Sequence, residues 1–370
     1  MPELANQVGF AMIDNFDARM EDWHDTVAPN PAPANAFACM GLTDNSGAGC
    51  QTPAQMAQAY KQARDDEIEA IRTSAMWGRV FGETGWQRPG HNWSMAADND
   101  FLNGRGPQYS FSLGGLQAGM DLWRREGAEG SRDRAGLYTG YINASAQVNQ
   151  VYTGVYPSNK AGTLTMSGYS AGAYWTHFGP SGWYVDSMLQ GTWFDQVRGQ
   201  TVDTGMTVGG QDLTASLESG YPLHFAHAWT LEPQAQFIYQ HAKLDSGIDR
   251  YGDTSFGGTD DVRGRIGAKL SYASLMGEGA SAKPVTFWVR ANLWHDFVGN
   301  PPSATFSTLT GAFPVTLKGS LGGTWGQIEA WVDARIAKNV SLFGSAFYDR
   351  SVDNGASWSV GGRLGTKVTF

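Results

Sequence analysis

The stretch Trp358-Ser359-Val360-Gly361-Gly362-Arg363-Leu364-Gly365-Thr366-Lys367-Val368-Thr369-Phe370 decides the fold. Its odd and even positions differ in chemistry. Trp358, Val360, Gly362, Leu364, Thr366, Val368 and Phe370 are mostly apolar or small, whereas Ser359, Gly361, Arg363, Gly365, Lys367 and Thr369 are mostly polar. A period of two is the signature of a strand whose two faces meet different surroundings. The pattern recurs upstream. Ile328, Ala330, Val332, Ala334 and Ile336 oppose Glu329, Trp331, Asp333 and Arg335. Phe287, Val289, Ala291 and Leu293 oppose Trp288, Arg290, Asn292 and Asp296, and Val262, Ile266, Ala268, Leu270 and Tyr272 oppose Arg263, Arg265, Lys269 and Ser271. Comparable segments lie near 74–84, 108–124, 133–146, 163–178, 183–196, 206–219, 229–240 and 340–349, separated by clusters of Gly, Asn, Asp, Ser and Pro. This predicts about twelve strands. Length agrees: about 295 residues follow the N-terminal part, and spanning strands of roughly 9–11 residues plus turns divide that into about 12–15.

Composition says what the two faces meet. Of 370 residues only 16% are Asp, Glu, Lys or Arg, against about 25% in an average soluble domain. There are 48 glycines, and Trp, Tyr and Phe number 14, 14 and 18. Mean hydropathy is nevertheless −0.34. No run approaches the roughly 18 apolar residues of a membrane helix. The aromatic content opposes intrinsic disorder. A net charge of −9 opposes strong nucleic-acid binding. A glycine-rich, ring-rich, charge-poor chain that is not hydrophobic on average fits an outer-membrane β-barrel, an antiparallel all-β fold. A soluble β-sandwich would also alternate, but here one face carries charge strand after strand and the other almost none. Trp77, Trp123, Tyr184, Trp193, Trp229, Phe297, Tyr348 and Phe370 stand near segment ends, where an interfacial girdle belongs.

Residues 1–73 differ from the barrel region 74–370. Leu4, Val8, Ala11, Met12, Asn15 and Phe16 fall at helical spacing after Pro2, predicting a first helix of roughly 20 residues, 3–22. Prolines at 29, 31, 33 and 53 mark an irregular stretch. Thr52-Pro53 then opens a second predicted helix, 53–72. Cys39 and Cys50 bracket a Gly/Asn/Asp/Ser-rich loop, and a disulfide formed in an oxidising compartment is the favoured reading. No signal-peptide pattern is visible around Pro2 and Glu3. An exported protein would therefore be represented by a processed or truncated form.

Several segments resemble one family in order and spacing. Leu217-Glu218-Ser219-Gly220-Tyr221-Pro222, then Trp229 and Leu231-Glu232-Pro233-Gln234 with Gln236, look like the central signature of the autotransporter β-domain, the translocator barrel of Gram-negative type V secretion. Trp77 to Gly82 resembles its first strand and Gly115 to Leu122 its second. Tyr174-Trp175, Gly182 to Asp186, Gln190 and Trp193 resemble its fourth and fifth. The helix bearing Leu4, Gln7, Gly9, Asp14 and Arg19 resembles the segment preceding the barrel in pertactin-like members. The likeness covers roughly 75–370 well and 1–20 less well. The departures are a long insertion between Arg19 and Trp77 and no passenger before the first helix.

The resemblance implies a twelve-stranded, monomeric barrel in the outer membrane of a Gram-negative bacterium, with a helical segment in its pore. It implies export and anchoring of an N-terminal passenger, with outer-membrane lipid, the barrel assembly machinery and periplasmic chaperones as partners. No cofactor, metal or nucleic acid is implied, and the barrel reads as a transport device rather than an enzyme. The alternative is a passive porin-like channel, against which the helices of 1–73 count. Leu364, Thr366, Val368 and Phe370 are the expected assembly signal. Either helix fits the pore. Position favours the first. Electrostatics favours the second, whose Asp65, Asp66, Glu67 and Glu69 would meet Arg263, Arg265, Lys269, Arg290, Arg363 and Lys367, and the reading leans to it because it joins the first strand directly. Glu218 and Glu232 are acidic lumen candidates. The competing reading is that these lumen charges pair with one another in the wall and leave the helix alone.

Overall fold

The computed structural model describes residues 1–14, 16, 74–88, 108–127, 130–149, 160–225, 228–276, 283–297, 300–319, 323–353 and 356–370. Helix α1 (Pro2–Ile13) comes first. The strands are β1 (Ala75–Arg88), β2 (Tyr109–Glu126), β3 (Arg132–Asn149), β4 (Lys160–Phe178), β5 (Tyr184–Thr201), β6 (Gly205–Gly220), β7 (Leu223–Phe225), β8 (Trp229–Leu244) and β9 (Gly247–Ile248). They continue as β10 (Gly252–Phe256), β11 (Thr259–Met276), β12 (Lys283–Asp296), β13 (Ser303–Thr308), β14 (Val315–Lys318), β15 (Thr324–Ala337), β16 (Val340–Ser351) and β17 (Ala356–Thr369).

Twelve long strands pair antiparallel in chain order, β1 to β6, β8, β11, β12, β15, β16 and β17. The ring closes where β1 meets β17, from Ala75 opposite Thr369 to Arg88 opposite Ala356. Closure removes every unpaired edge that would otherwise face hydrocarbon. Each of the twelve segments expected from the alternation corresponds to one of these strands. The even count returns Ala75 and Thr369 to the same end, which also carries the short connections 127–131, 179–183 and 338–339. In outer-membrane barrels that is the periplasmic end. The opposite end carries the longer β8–β11 and β12–β15 connections. There β9, β10, β13 and β14, from the β8–β11 and β12–β15 connections, form a separate four-stranded sheet.

The inside of the barrel is polar and the outside apolar. On β17, Arg363, Lys367 and Thr369 are buried inward, whereas Leu364, Val368 and Phe370 are 62%, 39% and 61% exposed. Thr366 shares their outward face and donates to the Ser341 carbonyl at 3.1 Å. Trp123, Trp193, Trp229, Phe297, Tyr348 and Phe370 face outward, as a girdle requires. Trp77 and Tyr184 do not; both are buried inside. Strand parity explains the correction. Trp77 shares a face with inward Arg79, and Tyr184 with inward Asp186, so position near a strand end is overruled by phase. Trp77 lies across Gly119, where an added Cβ would stand 2.6 Å from the indole.

Helix α1 lies within the barrel. Pro2 sits at its first turn, where a missing N–H costs nothing, and Glu3 places a carboxylate near the positive end of the dipole. The helix stops at Ile13, shorter than the expected span to residue 22. Asp14 leaves helical geometry with ψ 129°. Among the described residues the helix inside the barrel is the first, as the argument from position expects. Residues 53–72, with Asp65, Asp66, Glu67 and Glu69, lie outside the described residues, as do Cys39 and Cys50.

Candidate functional site

The site is the lumen and the helix that occupies it. Leu4, Ala5, Val8, Ala11 and Met12 recur at helical spacing and are all buried. They pack against Phe81, Phe111, Leu113, Ile142, Met166, Phe194 and Val208 on β1 to β6. These inward residues interrupt an otherwise polar lumen and form an apolar cradle along one side. Gly9 brings the helix close to β6 and β8, where a Cβ would overlap the Gln240 amide and stand 2.7 Å from Asp212 Oδ2.

The remaining contacts are polar or aromatic. Asn6 donates to Asp261 Oδ2 at 3.0 Å and accepts from Arg263 Nη2, while Gln240 donates to its carbonyl at 3.0 Å. The last turn of a helix leaves carbonyls without intrahelical donors. Arg79 and Gln117 supply them, reaching the Met12 carbonyl at 3.1 and 3.0 Å. Asp14 pairs with Arg363 at 2.6 Å. Phe10 meets Trp294 edge-on at 5.1 Å between centroids, with the Arg263 guanidinium 4.4 Å over its ring. Phe16 is enclosed by Trp77, Tyr138 and Tyr174 at 5.2, 4.6 and 6.0 Å.

Beyond the helix the charged residues pair across the wall. Arg265 meets Glu218 at 2.8 Å, and Lys269 meets Glu232 at 3.5 Å. Arg263 meets Asp261 at 2.5 Å and Asp296 at 2.8 Å. Glu329 binds Arg290 at 2.9 Å and Arg363 at 2.7 Å. Gln234 adds hydrogen bonds to Glu232 at 2.7 Å and from Arg290 at 3.1 Å. Burying charge is tolerable only when it is paired, and each of these cations has a carboxylate within 3.5 Å, although among the described residues Arg265 Nε and Asp261 Oδ1 have no hydrogen-bond partner. Of the six basic candidates named from sequence, Arg263 touches α1 at Asn6 and Phe10 and Arg363 pairs with Asp14 at its end, whereas Arg265, Lys269 and Arg290 bond within the wall. Mutual pairing therefore describes most of the set.

Sequence reasoning gave no lumen role to Asn6, Asp14, Arg79, Gln117 and Asp212. A signal existed for two of them. Asn6 and Asp14 are polar positions on a helix whose other buried residues are nearly all apolar. A helix lying inside a charged lumen needs such points to bond to the wall. Leu364, Thr366 and Val368 of β17, with Phe370 just after it, share one outward face next to the closing seam with β1.

Helix direction completes the geometry. The Met1 side chain lies against Gly199 near the long-loop end of β5, and the Glu3 carboxylate against Gly319 beyond β14. Phe16 lies against Trp77, two residues after β1 starts at the short-turn end. The helix therefore runs from the outer end toward the periplasmic end.

Residues 76–346 match the family described as Autotransporter beta-domain. The Adhesin BmaC autotransporter of Brucella suis is 29% identical over 275 residues, which is 71% of this chain and 7% of that protein. The chain thus spans a small part of that relative's length. Among solved structures, the β domain of the Bordetella autotransporter BrkA superposes with a TM-score of 0.56 at 20% identity, covering 80% of this chain and 100% of that one. The transport unit of the autotransporter AIDA-I from Escherichia coli gives 0.58 at 18% identity, covering 87% and 100%. These two share the fold.

Proposed function

The chain belongs to the autotransporter β-domain family, a translocator barrel of the Gram-negative outer membrane, and on that premise we propose that it carries a passenger joined upstream of Met1 to the cell surface and then holds it there. The direction of α1 is the observation that carries this reading. A chain entering at Met1 emerges among the long loops, and the chain leaving Phe16 heads for the end where β1 begins. A passenger fused ahead of α1 therefore lies outside while both barrel termini stay periplasmic.

A polar lumen lets an unfolded chain cross without entering hydrocarbon. Once transport ends, the apolar face of α1 settles into its cradle, and Asn6, Met12 and Asp14 bond to the wall. That closes the pore and ties the passenger to it. Assembly before transport would involve periplasmic chaperones and the barrel assembly machinery, with Leu364, Thr366, Val368 and Phe370 as the recognised row. The product is a monomer in outer-membrane lipid.

The test is surface display. A reporter fused ahead of Met1 is expected to be degraded by protease added to intact cells. Deleting Phe370 is expected to lower both inserted barrel and displayed reporter. A reporter that stays protected while the barrel is correctly inserted overturns the export reading. Normal insertion without Phe370 overturns the signal.

A further inference from the structure

The outward face of β2 to β4 at the short-turn end carries two tryptophans in one row. Register places Trp123 beside Ala135 and Ala135 beside Trp175 in one row. Trp123 is 48% and Trp175 41% exposed. Neighbouring strands lie about 4.8 Å apart, so the two tryptophan backbones are separated by about 9.6 Å with only a methyl group between them. The result is a slot walled by two indoles. The next outward row toward the bilayer centre is Met120, Leu137 and Ala173, which continues the floor in apolar side chains. The next row toward the periplasm is Arg125, Asp133 and His177.

The polar row is arranged asymmetrically. Asp133 Oδ1 lies 2.8 Å from His177 Nδ1, and the His177 ring stacks on Trp175 at 6.1 Å and meets Trp183 at 5.1 Å. The carboxylate is thus engaged on the β4 side. Among the described residues Arg125 takes part in no ion pair. A bulge produces the arrangement. Register shifts between Asp121 and Trp123, so Asp121 stays inside on Arg134 at 2.8 Å while Trp123 and Arg125 turn outward. Bulges re-aim side chains in this way.

We propose that this slot binds one anionic phospholipid of the periplasmic leaflet, an acyl chain lying over Ala135 between Trp123 and Trp175 and the phosphate on Arg125. A guanidinium binds phosphate through two parallel N–H donors. Indoles belong at the depth where acyl chain gives way to headgroup. An anionic headgroup fits better than a zwitterionic one, because the ammonium of the latter would face the Arg125 guanidinium, a like charge. The proposal rests on the outer-membrane placement and is independent of export. Surface display of a fused reporter therefore tests the translocator reading without touching this one.

The experiment is native mass spectrometry of the full chain released from mixed micelles holding equal amounts of phosphatidylglycerol and phosphatidylethanolamine. The wild type is expected to retain one phosphatidylglycerol in preference. Arg125→Glu is expected to lower that preference about five-fold or more, the scale set by one basic group at an anionic surface. Ala135→Phe, which fills the slot from the lipid side, is expected to remove retention of either lipid. Arg350→Glu, at the far end of β16, is expected to change nothing. Heat-modifiable migration in gels checks folding, and Arg125→Gln replaces the Glu variant if that one fails to fold. Equal retention of the two lipids by the wild type, or an unchanged preference in the Arg125 variants, overturns the site.

Discussion

The two sides of the lumen hold the same barrel together by different means. On β1 to β6 the apolar residues packed against α1 include Phe81, Phe111, Leu113, Ile142, Met166, Phe194 and Val208, with Arg79 and Gln117 as polar exceptions at its last turn. Further round, β8, β11, β12, β15 and β17 present Glu232, Lys269, Arg263, Arg265, Arg290, Glu329 and Arg363, all buried. The apolar side needs a partner, because its residues would otherwise face water in an empty pore. The charged side already satisfies itself through Glu218–Arg265, Glu232–Lys269 and Arg290–Glu329–Arg363. The difference teaches that helix retention rests chiefly on hydrophobic burial, which is non-directional, with a few bonds at Asn6, Met12 and Asp14 setting orientation.

The harshest way to break this contrast is to put a charge on the apolar side. Val8 is fully buried against the cradle. Val8→Asp would bury a carboxylate with no partner there, at a cost of several kcal/mol. The helix is expected to leave the cradle. In planar bilayers the variant should conduct like a barrel lacking residues 1–16. A conductance as low as the wild type's would show that the polar bonds alone hold the helix.

Two charge reversals sharpen the same contrast from the other side. Arg263 contacts Asn6 and Phe10 of the helix, whereas Arg265 contacts Glu218, Gln234, Asn292 and Trp294 of the wall. Breaking a buried pair costs about 3–5 kcal/mol, so both reversals to Glu should lower the temperature at which the barrel unfolds in heat-modifiability gels. Only Arg263→Glu should also raise conductance below that temperature. Equal conductance in the two variants would mean that the helix does not sense which arginine it touches.

The barrel was legible in the sequence because alternation is a local signal repeated twelve times. Arg363, Leu364 and their neighbours declare inside and outside within two residues of each other. The identity of the pore helix was only half legible. Opposite charges on 53–72 and on the lumen argued for a partner, but attraction cannot be assigned while the lumen holds its own counter-charges. Glu329 belongs to the alternating face of 328–336, yet its pairing with both Arg290 and Arg363 joins three strands and becomes visible only once the register is known. Phase was legible and position was misleading at Trp77, where the inward phase of Arg79 already decided the side. At Trp123 phase misleads in turn, because the bulge after Asp121 resets it.

The smallest expected effect tests whether close approach on the apolar side is specific. Trp77 lies across Gly119, and a Cβ there would stand 2.6 Å from Cζ2 of the indole and 2.8 Å from the Leu137 carbonyl. Neither ring nor backbone is the free end of a flexible chain, so Gly119→Ala must displace one of them. The cost of such overpacking is about 1–3 kcal/mol, read as a lower unfolding temperature. Trp77 also encloses Phe16, so the displacement should propagate to the chain leaving α1 and raise the frequency of brief channel openings. Gly78, on the neighbouring strand β1, is the comparison. It faces outward, and an added Cβ would meet only the Gln117 carbonyl at 3.7 Å, an ordinary contact. Gly78→Ala should therefore be neutral or stabilise by about 0.4–1 kcal/mol through the unfolded chain. If the two substitutions cost the same, loss of glycine in a strand is the whole effect, and the seat of Trp77 on Gly119 holds nothing in place.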